Sequence, residues 1–301
     1  MLKLHVTGVG DAFTERYHNA CLCIEEPSSG LRLHIDCPPA FPRVLADHRA
    51  RSGSDLAVDN IDHLLLTHLH GDHCGGTEAY LYLRRFIVGR KPTLYGAPEV
   101  LDALWPTRLA GGMDRLLLAA PSFDESAVLA RFADSLNSST TNADKESSAL
   151  SDNSIYIDSQ IREREMIESP GPMKTLGLLD YTDRVDLLPT QTRIGPLRIE
   201  RRFTRHHIPT TAIRVFLDGR ARPLLGYSAD TAFDPDLIAW LAEADLVVHE
   251  TNFGVHTPLS ALMTVPQSVR NRMRLIHYPD MLDVESSPIP CLREGQVLTL
   301  G

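Results

Sequence analysis

The chain has 301 residues, a formal net charge of −9 and 43% hydrophobic residues, values typical of a globular protein. They exclude a disordered, collagen-like or disulfide-rich chain, and an acidic balance does not suit binding to a large nucleic acid. No run of 18 apolar residues is present, so we expect neither a transmembrane helix nor a membrane partner. The N-terminus lacks the apolar core of a secretion signal, and five cysteines without framework spacing indicate reduced thiols; the sequence therefore predicts a cytoplasmic protein.

The first third of the chain has strand patterns followed by helical patterns. Short apolar or alternating runs predict strands over residues 2–6, 21–25, 31–36, 61–67 and 92–95. Residues 78–88 have helical character, and a helix with Pro98 in its first turn is predicted over 98–104. The run at 61–67 stops at a polar, glycine-bearing stretch, which is typical of a buried strand that enters a loop.

A polar segment interrupts these patterns in the middle of the chain. Residues 137–153 are rich in serine and almost free of large apolar side chains. Such a segment buries too little apolar surface to offset the entropy that it would lose on ordering. We therefore expect a single domain over residues 1–301 that carries a flexible insertion at about 135–160.

Strands and helices return in the second half. Strands are predicted over residues 185–188, 197–203, 211–217, 223–227, 246–248 and 275–276. Asp218-Gly219 indicates a turn between two of them, Asp234 and Pro235 begin a helix, and residues 259–273 are predicted to be mostly helical. Strands interleaved with helices in both halves predict an α/β protein.

A dense group of potential metal ligands follows the strand predicted at 61–67. His68, His70, Asp72 and His73 lie within six residues. In a turn-like loop these side chains can reach one small volume, and imidazole with carboxylate suits zinc, manganese or iron. A lone histidine would more often lie in a solvated polar loop, but this clustering after an apolar strand favours a metal site.

The pattern His68-x-His70-x-Asp72-His73 resembles the hallmark motif of the metallo-β-lactamase superfamily. The resemblance implies the αββα sandwich of that fold and two divalent metal ions, with zinc expected first and manganese or iron as alternatives. Three later segments resemble the ligand-bearing strand ends of the superfamily. They carry His206 three residues before Pro209, Asp230 in Gly226-Tyr-Ser-Ala-Asp230, and His277 in Leu275-Ile-His277.

The resemblance also implies how the ligands are divided. One metal would be held by His68, His70 and His206, the other by Asp72, His73 and His277, with Asp230 between them. Two close cations lower the pKa of a shared water and neutralise an anionic substrate, and Asp72 would position or deprotonate that water.

Two residues near these motifs have open roles. His206 is favoured over His207 as a ligand by its spacing to Pro209, so His207 would face a substrate or the core. The superfamily often has Asp-x-Gly where this chain has Asp36-Cys37-Pro38. We call residues 68–73 the metal loop. Asp36 is expected either to brace this loop or to cap the following turn.

Two further segments resemble motifs of the ribonuclease Z-like phosphodiesterases. His249-Glu250-Thr251 resembles their His-Glu-Ala-Thr motif, and His256-Thr257 resembles their His-Ser-Thr motif. The resemblance implies that His256 protonates the leaving oxygen and that Glu250 orients it, while His249 is expected to pack at a strand end. An imidazolium held by a carboxylate is a suitable proton donor to an alkoxide.

The predicted function is metal-dependent hydrolysis of a small, anionic, nucleotide-like phosphodiester, such as a cyclic nucleotide. Only 23 residues separate His206 from Asp230, too few for the long arm of tRNA-processing relatives. Hydrolysis of a lactone or another acyl bond is the alternative, with Tyr227 or Tyr278 near the metals, and a non-catalytic sensor or scaffold is a third. A homodimer is left open because relatives often dimerise.

Several neighbouring residues have both a functional and a structural interpretation. Cys74 is expected to be a small buried thiol rather than a ligand, and Tyr17-His18-Asn19 could line the pocket. A basic cluster beside the third histidine motif could contact phosphate, although ion pairs with acidic side chains are the commoner explanation. Its members are Arg198, Arg201, Arg202, Arg205 and Arg214.

Overall fold

A computed structural model of the chain describes residues 1–117 and 173–301. The chain divides into two compact units, one made of residues 1–112 and 177–301 and the other of residues 113–176. The insertion predicted at 135–160 lies outside the described residues. The described strands, in chain order, are β1 (Leu2–Gly8), β2 (Cys21–Glu26), β3 (Leu31–Ile35), β4 (His63–Leu65), β5 (Thr93–Gly96), β6 (Arg115–Leu117), β7 (Met173–Thr175), β8 (Asp183–Asp186), β9 (Thr192–Ile194), β10 (Leu197–Phe203), β11 (Thr211–Leu217), β12 (Leu225–Tyr227), β13 (Leu246–Glu250), β14 (Met273–Ile276) and β15 (Val297–Leu300).

The helices are short, apart from the first. A 3₁₀ turn at Val58–Asn60 precedes β4, and π-helical turns at Leu83–Val88 and Trp105–Leu109 extend the third and fourth helices. In chain order the described helices are α1 (Phe41–Ser52), α2 (Gly71–Cys74), α3 (Thr77–Tyr82), α4 (Pro98–Leu104), α5 (Ala110–Met113), α6 (Leu178–Tyr181), α7 (Pro235–Leu241), α8 (Leu259–Leu262) and α9 (Gln267–Arg270). None of the helices in the described residues has both the length and the apolar character needed to cross a membrane.

Two sheets form the first unit. The strand order is β15-β1-β2-β3-β4-β5-β8 in one and β14-β13-β12-β11-β10-β9 in the other. Each sheet has an antiparallel part, and β3-β4-β5-β8 and β12-β13-β14 are parallel. In the second unit, β6 and β7 pair antiparallel. Parallel strands end at the same edge of a sheet, so the segments after β3 and β4, and those after β12, β13 and β14, emerge side by side.

The two sheets pack face to face and helices cover their outer faces. Leu4 of β1 and Ile213 of β11 belong to one continuous apolar core between the sheets. On the opposite face of β1, His5 contacts His48 of α1. Trp240 on α7 is buried with the second sheet. These layers confirm the predicted αββα sandwich of the metallo-β-lactamase fold.

Several predicted elements differ from the observed ones. The predicted strands at 197–203 and 211–217 and the helix at 98–104 have the observed bounds, whereas α1, β9 and β15 were not predicted. The helix predicted over most of 259–273 is observed only in part, because α8 and α9 are separate short helices there. Pro266 separates them, since it has no backbone N–H and disfavours helical geometry in the residue before it.

Candidate metal centre and active site

The predicted ligands lie after the carboxyl ends of strands in both sheets. His68, His70, Asp72 and His73 follow β4, and the remaining predicted ligands follow strands of the second sheet. β10 runs antiparallel to β11, which runs antiparallel to β12, so β10 ends at the same edge as β12. The strands that carry these second-sheet ligands are β10 before His206, β12 before Asp230 and β14 before His277.

One group of potential ligands surrounds His70. Its Nδ1 lies 3.1 Å from Nε2 of His68 and 3.3 Å from Nε2 of His206. Nε2 of His68 lies 3.5 Å from Oδ2 of Asp230. One ligand atom from each of these four residues lies within 4.8 Å of the others. We call His68, His70 and His206 the first cluster, and Asp230 lies beside it.

A second cluster consists of Asp72, His73 and His277. Oδ2 of Asp72 lies 3.3 Å from Nε2 of His73 and 3.4 Å from Nε2 of His277. Asp230 is adjacent, with Oδ1 3.4 Å from Nε2 of His73 and Oδ2 3.6 Å from Nε2 of His277. The Asp230 carboxylate therefore contacts both clusters, as a bridging ligand must.

The donor atoms fit divalent metal ions. Within the described residues, Nε2 of His73 and Oδ1 of Asp230 are buried and have no hydrogen-bond partner. A buried polar atom left unpaired costs about 1–3 kcal/mol, so such atoms normally have a partner. Imidazole nitrogens and carboxylate oxygens that converge in this way are the ligands of zinc and related cations.

The electrostatics of the two clusters differ. Burial holds the pKa of His68 well below its ordinary value and lowers that of His206 to about 4, so both rings are neutral and able to bind a metal. Burial also disfavours the charged form of His277, but the carboxylates of Asp230 and Asp72 outweigh it and raise its pKa to about 9. The second cluster therefore attracts positive charge.

Asp36 braces the metal loop. Its fully buried carboxylate accepts hydrogen bonds from the backbone N–H of Thr67 at 2.8 Å and from Nδ1 of His73 at 2.9 Å. The Thr67 hydroxyl donates to Asp36 and lies 2.9 Å from Nδ1 of His68. Asp36 thus orients His73 directly and His68 through Thr67, leaving Nε2 of both rings toward the clusters. Of the two roles expected for Asp36, the structure shows bracing.

Strained backbone surrounds the site. Asp36, Ala229 and His277 have positive φ values of 64°, 48° and 54°, which non-glycine residues seldom adopt. All three follow the end of a strand, where a left-handed residue turns the chain sharply. Such strain costs about 1–3 kcal/mol per residue and persists where the surrounding structure enforces it.

The loop after β3 packs tightly on the metal loop. The Cys37 N–H donates to the His73 carbonyl at 2.6 Å, and the Gly76 N–H donates to the Cys37 carbonyl at 2.8 Å. A Cβ at Gly76 would lie 2.2 Å from the Pro38 carbonyl oxygen, so this close approach requires glycine. Although this chain lacks the Asp-x-Gly pattern after β3, the loop that replaces it is closely hydrogen-bonded to the metal loop.

His256 and Glu250 form a hydrogen-bonded pair beside the clusters. Oε1 of the fully buried Glu250 lies 3.0 Å from Nδ1 of His256 and also accepts the Thr231 backbone N–H at 2.8 Å. The His256 ring centre lies 5.1 Å from that of His277. Burial disfavours the imidazolium, but the hydrogen bond and charge of Glu250 outweigh it and raise the pKa of His256 above its ordinary value. This arrangement suits a proton donor.

The other histidines and tyrosines named from the sequence lie outside the clusters. His207 is exposed and contacts His70, with their Nε2 atoms 3.0 Å apart. His249 is buried and its Nδ1 donates to the Glu250 carbonyl, so it packs at a strand end as predicted. The Tyr278 hydroxyl donates to the Leu292 carbonyl, and His18 pairs with Asp47.

The basic cluster has structural partners. Arg214 pairs with Glu200 and Glu243, and Arg198 pairs with Glu200. The remaining contacts are an ion pair of Arg205 with Asp234 at 3.0 Å, a hydrogen bond from Arg201 to the Leu187 carbonyl at 2.7 Å, and stacking of Arg202 over Trp240 at 5.0 Å. Ion pairing, the commoner explanation, is confirmed for Arg198, Arg205 and Arg214.

Cys74 is buried, and burial raises the pKa of its thiol to about 11.

Two supporting residues were not identified from the sequence. Thr67 links Asp36 to His68, and Thr231 donates its backbone N–H to Glu250. Thr67 directly precedes the histidine motif and Thr231 directly follows Asp230, so adjacency to a motif was the available signal. Their carboxylate partners, Asp36 and Glu250, are distant in the sequence, and residue type alone does not reveal such contacts.

The family model described as "Anti-Pycsar protein Apyc1" matches residues 2–144 and 170–289. The chain belongs to this family. An Anti-Pycsar protein Apyc1 of Paenibacillus harenae is 27% identical over 290 residues, which cover 94% of this chain and 92% of that protein.

Solved structures show the same fold. The metallo-β-lactamase fold protein YhfI of Bacillus subtilis has a TM-score of 0.61 at 14% identity, over 100% of this chain and 99% of that one. The short form of human tRNase Z has a TM-score of 0.57 at 15% identity, over 99% of each chain. The expected metallo-β-lactamase fold is thereby confirmed. Together, the family, the fold and the two clusters of potential metal ligands support a metal-dependent hydrolase of the phosphodiesterase-like kind.

Proposed function

We propose that this chain hydrolyses a small phosphodiester, such as a cyclic nucleotide, and that His256 protonates the leaving oxygen. The observation that carries the proposal is the pair of Glu250 and His256 beside the two clusters, with Glu250 Oε1 3.0 Å from His256 Nδ1. A proton donor beside two potential metal sites suits the cleavage of a bond whose leaving group is an alkoxide.

The metal-holding residues would be those of the two clusters. His68, His70 and His206 would hold one ion, Asp72, His73 and His277 the other, and Asp230 would contact both. When bound, two zinc, manganese or iron ions would lower the pKa of a water and neutralise the charge of a phosphodiester. Beyond binding metal, Asp72 would position the attacking water or accept its proton, because its carboxylate lies at the second cluster.

His256 would deliver its proton from one particular ring nitrogen. Glu250 accepts the Nδ1–H of His256, so the second proton of the imidazolium lies on Nε2. A ring nitrogen of His256 lies within 4.8 Å of ligand atoms of Asp230 and His277. Glu250 stabilises the imidazolium and keeps its ring oriented, so the proton is available where a leaving oxygen would develop negative charge.

The proposed substrate is small and anionic. The connection from β10 to β11 covers residues 204–210 and that from β11 to β12 covers 218–224, so no long arm projects between His206 and Asp230. Two cations and an imidazolium at one centre would favour an anionic phosphodiester over a neutral lactone. The net charge of −9 opposes binding of a large nucleic acid but leaves this local attraction in place.

A substrate screen tests the proposal. The full-length protein, loaded with zinc or manganese, is incubated with purine and pyrimidine 3′,5′-cyclic nucleotides, a linear dinucleotide and several lactones. Cyclic nucleotides are expected to open to nucleoside monophosphates, while Asp230→Asn protein treated in the same way leaves them intact. Turnover of lactones in the absence of any phosphodiester cleavage would overturn the proposal.

A further inference from the structure

His207 is a histidine of the third motif that the clusters do not use. Its exposed ring lies beside that of His70, with ring centres 4.7 Å apart and the planes tilted by 37°. The two Nε2 atoms are 3.0 Å apart, within hydrogen-bond distance. Because His206, the preceding residue, belongs to the first cluster, the segment that carries His206 and His207 contacts the metal loop at a second point.

The position of the proton on His70 follows from geometry. Nδ1 of His70 faces Nε2 of His68 at 3.1 Å and Nε2 of His206 at 3.3 Å, so Nδ1 is the atom that would bind a metal. A neutral imidazole carries one N–H, and a nitrogen that binds metal must present a lone pair. The proton of His70 must then lie on Nε2, which donates to Nε2 of His207.

The other ligands show that such orienting contacts are unevenly distributed. Nδ1 of His68 has the Thr67 hydroxyl as its partner, and Nδ1 of His73 has Asp36, both at 2.9 Å and both buried. Within the described residues, the buried Nδ1 atoms of His206 and His277 have no hydrogen-bond partner. His70 is only partly buried, unlike His68, and no carboxylate in the part of the chain that the structure describes holds it as Asp36 holds His73, so its orientation depends more on a contact at the surface.

We propose that His207 is a positioning residue for the first metal site. By accepting the Nε2–H of His70, it selects the tautomer with a free lone pair on Nδ1 and holds the ring toward His68 and His206. The proposal rests on the proposed function only in requiring that the first cluster binds metal. Loss of an outer hydrogen-bond partner of this kind typically weakens metal binding by about 10–100-fold.

Metal titration of the full-length protein tests this role. His207→Leu removes the acceptor, whereas His207→Gln retains an amide oxygen that can accept a hydrogen bond. The control His18→Leu removes another histidine that forms a hydrogen bond at the protein surface, where it pairs with Asp47. Zinc affinities of both sites are measured by competition with a chromophoric chelator, and the visible spectrum of the cobalt-loaded protein reports ligand geometry.

The expected result is selective. His207→Leu weakens one of the two zinc-binding events by about 10–100-fold and changes the cobalt spectrum, while His207→Gln recovers most of the affinity and His18→Leu matches the wild type. The melting temperature of the metal-free protein is expected to stay unchanged, since His207 is exposed. Unchanged zinc affinity in His207→Leu would overturn the proposal, as would an altered KM with normal metal binding. A wild-type protein that binds zinc but cleaves no phosphodiester would instead count against the proposed function alone.

Discussion

Oε1 of Glu250 lies 3.0 Å from Nδ1 of His256, and the carboxylate also accepts the backbone N–H of Thr231 at 2.8 Å. The carboxylate belongs to the last residue of β13 and is fully buried, whereas the side chain of His256 is 17% exposed. A rigid strand end thus fixes the orientation of a histidine that borders the solvent. Local geometry of this kind keeps one side of an imidazole occupied while its other side faces a reactant.

The fall in rate that substitution of His256 causes should depend on the leaving group of the substrate. His256→Ala is expected to lower kcat for a cyclic nucleotide by about 10²–10⁴-fold, because the alkoxide that leaves from this substrate needs a proton. Bis(p-nitrophenyl) phosphate should lose far less, since p-nitrophenolate leaves without protonation. Rates with both substrates and the bound metal per chain provide the measurement. Equal losses on the two substrates would contradict a role in protonation. Glu250→Gln is expected to show the same selectivity, because it removes the charge that stabilises the imidazolium.

Asp230 should matter to both metals, unlike ligands that belong to one cluster. Its Oδ1 lies 3.4 Å from Nε2 of His73, and its Oδ2 lies 3.5 Å from Nε2 of His68. Asp230→Asn is therefore expected to weaken both zinc-binding events, while His206→Ala weakens mainly one. Elemental analysis and calorimetric titration of purified proteins distinguish these patterns. If Asp230→Asn retained two tightly bound ions per chain, the bridging role would be wrong.

Substitution of Asp36 should affect both metal affinity and stability. Asp36→Asn removes the charge of the carboxylate that accepts hydrogen bonds from Thr67 and His73. We therefore expect zinc affinity to fall about 10–100-fold. Because hydrogen bonds to a buried charged group are lost, the free energy of unfolding should fall by about 1–3 kcal/mol. Asp36→Ala is expected to be less stable still, since asparagine tolerates φ of 64° better than alanine does. Chelator competition and urea unfolding of the metal-free proteins measure the two effects. Equal stability of the two variants would contradict the backbone argument.

His34 should make stability depend on pH in the acid range. Burial lowers its pKa to about 3, against 6.5 in an unfolded chain. A histidine whose folded-state pKa is depressed contributes stability that is complete above pH 6.5 and is lost as the pH falls toward 3, because only the unfolded state takes up the proton. In this window, the free energy of unfolding of the metal-free wild type should fall more steeply than that of His34→Asn, by about 1.4 kcal/mol per pH unit.

The His34→Asn variant is a matched control for that measurement. Asparagine has an amide N–H that can replace the donation from His34 Nδ1 to the Asp36 carbonyl, which spans 2.7 Å. Urea unfolding of both proteins from pH 7 to pH 4 gives the two slopes, and metal-free samples avoid the separate pH dependence of metal binding. Parallel slopes would show that His34 does not remain neutral in the folded state.

The elements that the sequence predicted well are those whose signals are local. The strand at 197–203 has apolar residues with a regular period, and α7 begins at Pro235 after Asp234, which accepts from the N–H groups of Asp236 and Leu237. Helix α1 was missed although Phe41, Val44 and Leu45 form an apolar face, because His48 takes the next position on that face. Residues 259–273 are less helical than predicted because Pro266 divides the segment into two short helices.

For the site, the sequence alone determined the types and the order of the first four candidate ligands, since His68, His70, Asp72 and His73 form one short motif. Only the tertiary structure decided that His206 joins the first cluster while His207 contacts His70 from outside, and that Asp36 braces His73. It also showed that Arg198 and Arg214 share Glu200. The physical reason is the distance along the sequence between residues that come into contact. A motif records which ligands are available over a few residues, whereas the atom that each side chain meets depends on strands from two sheets that end at one edge.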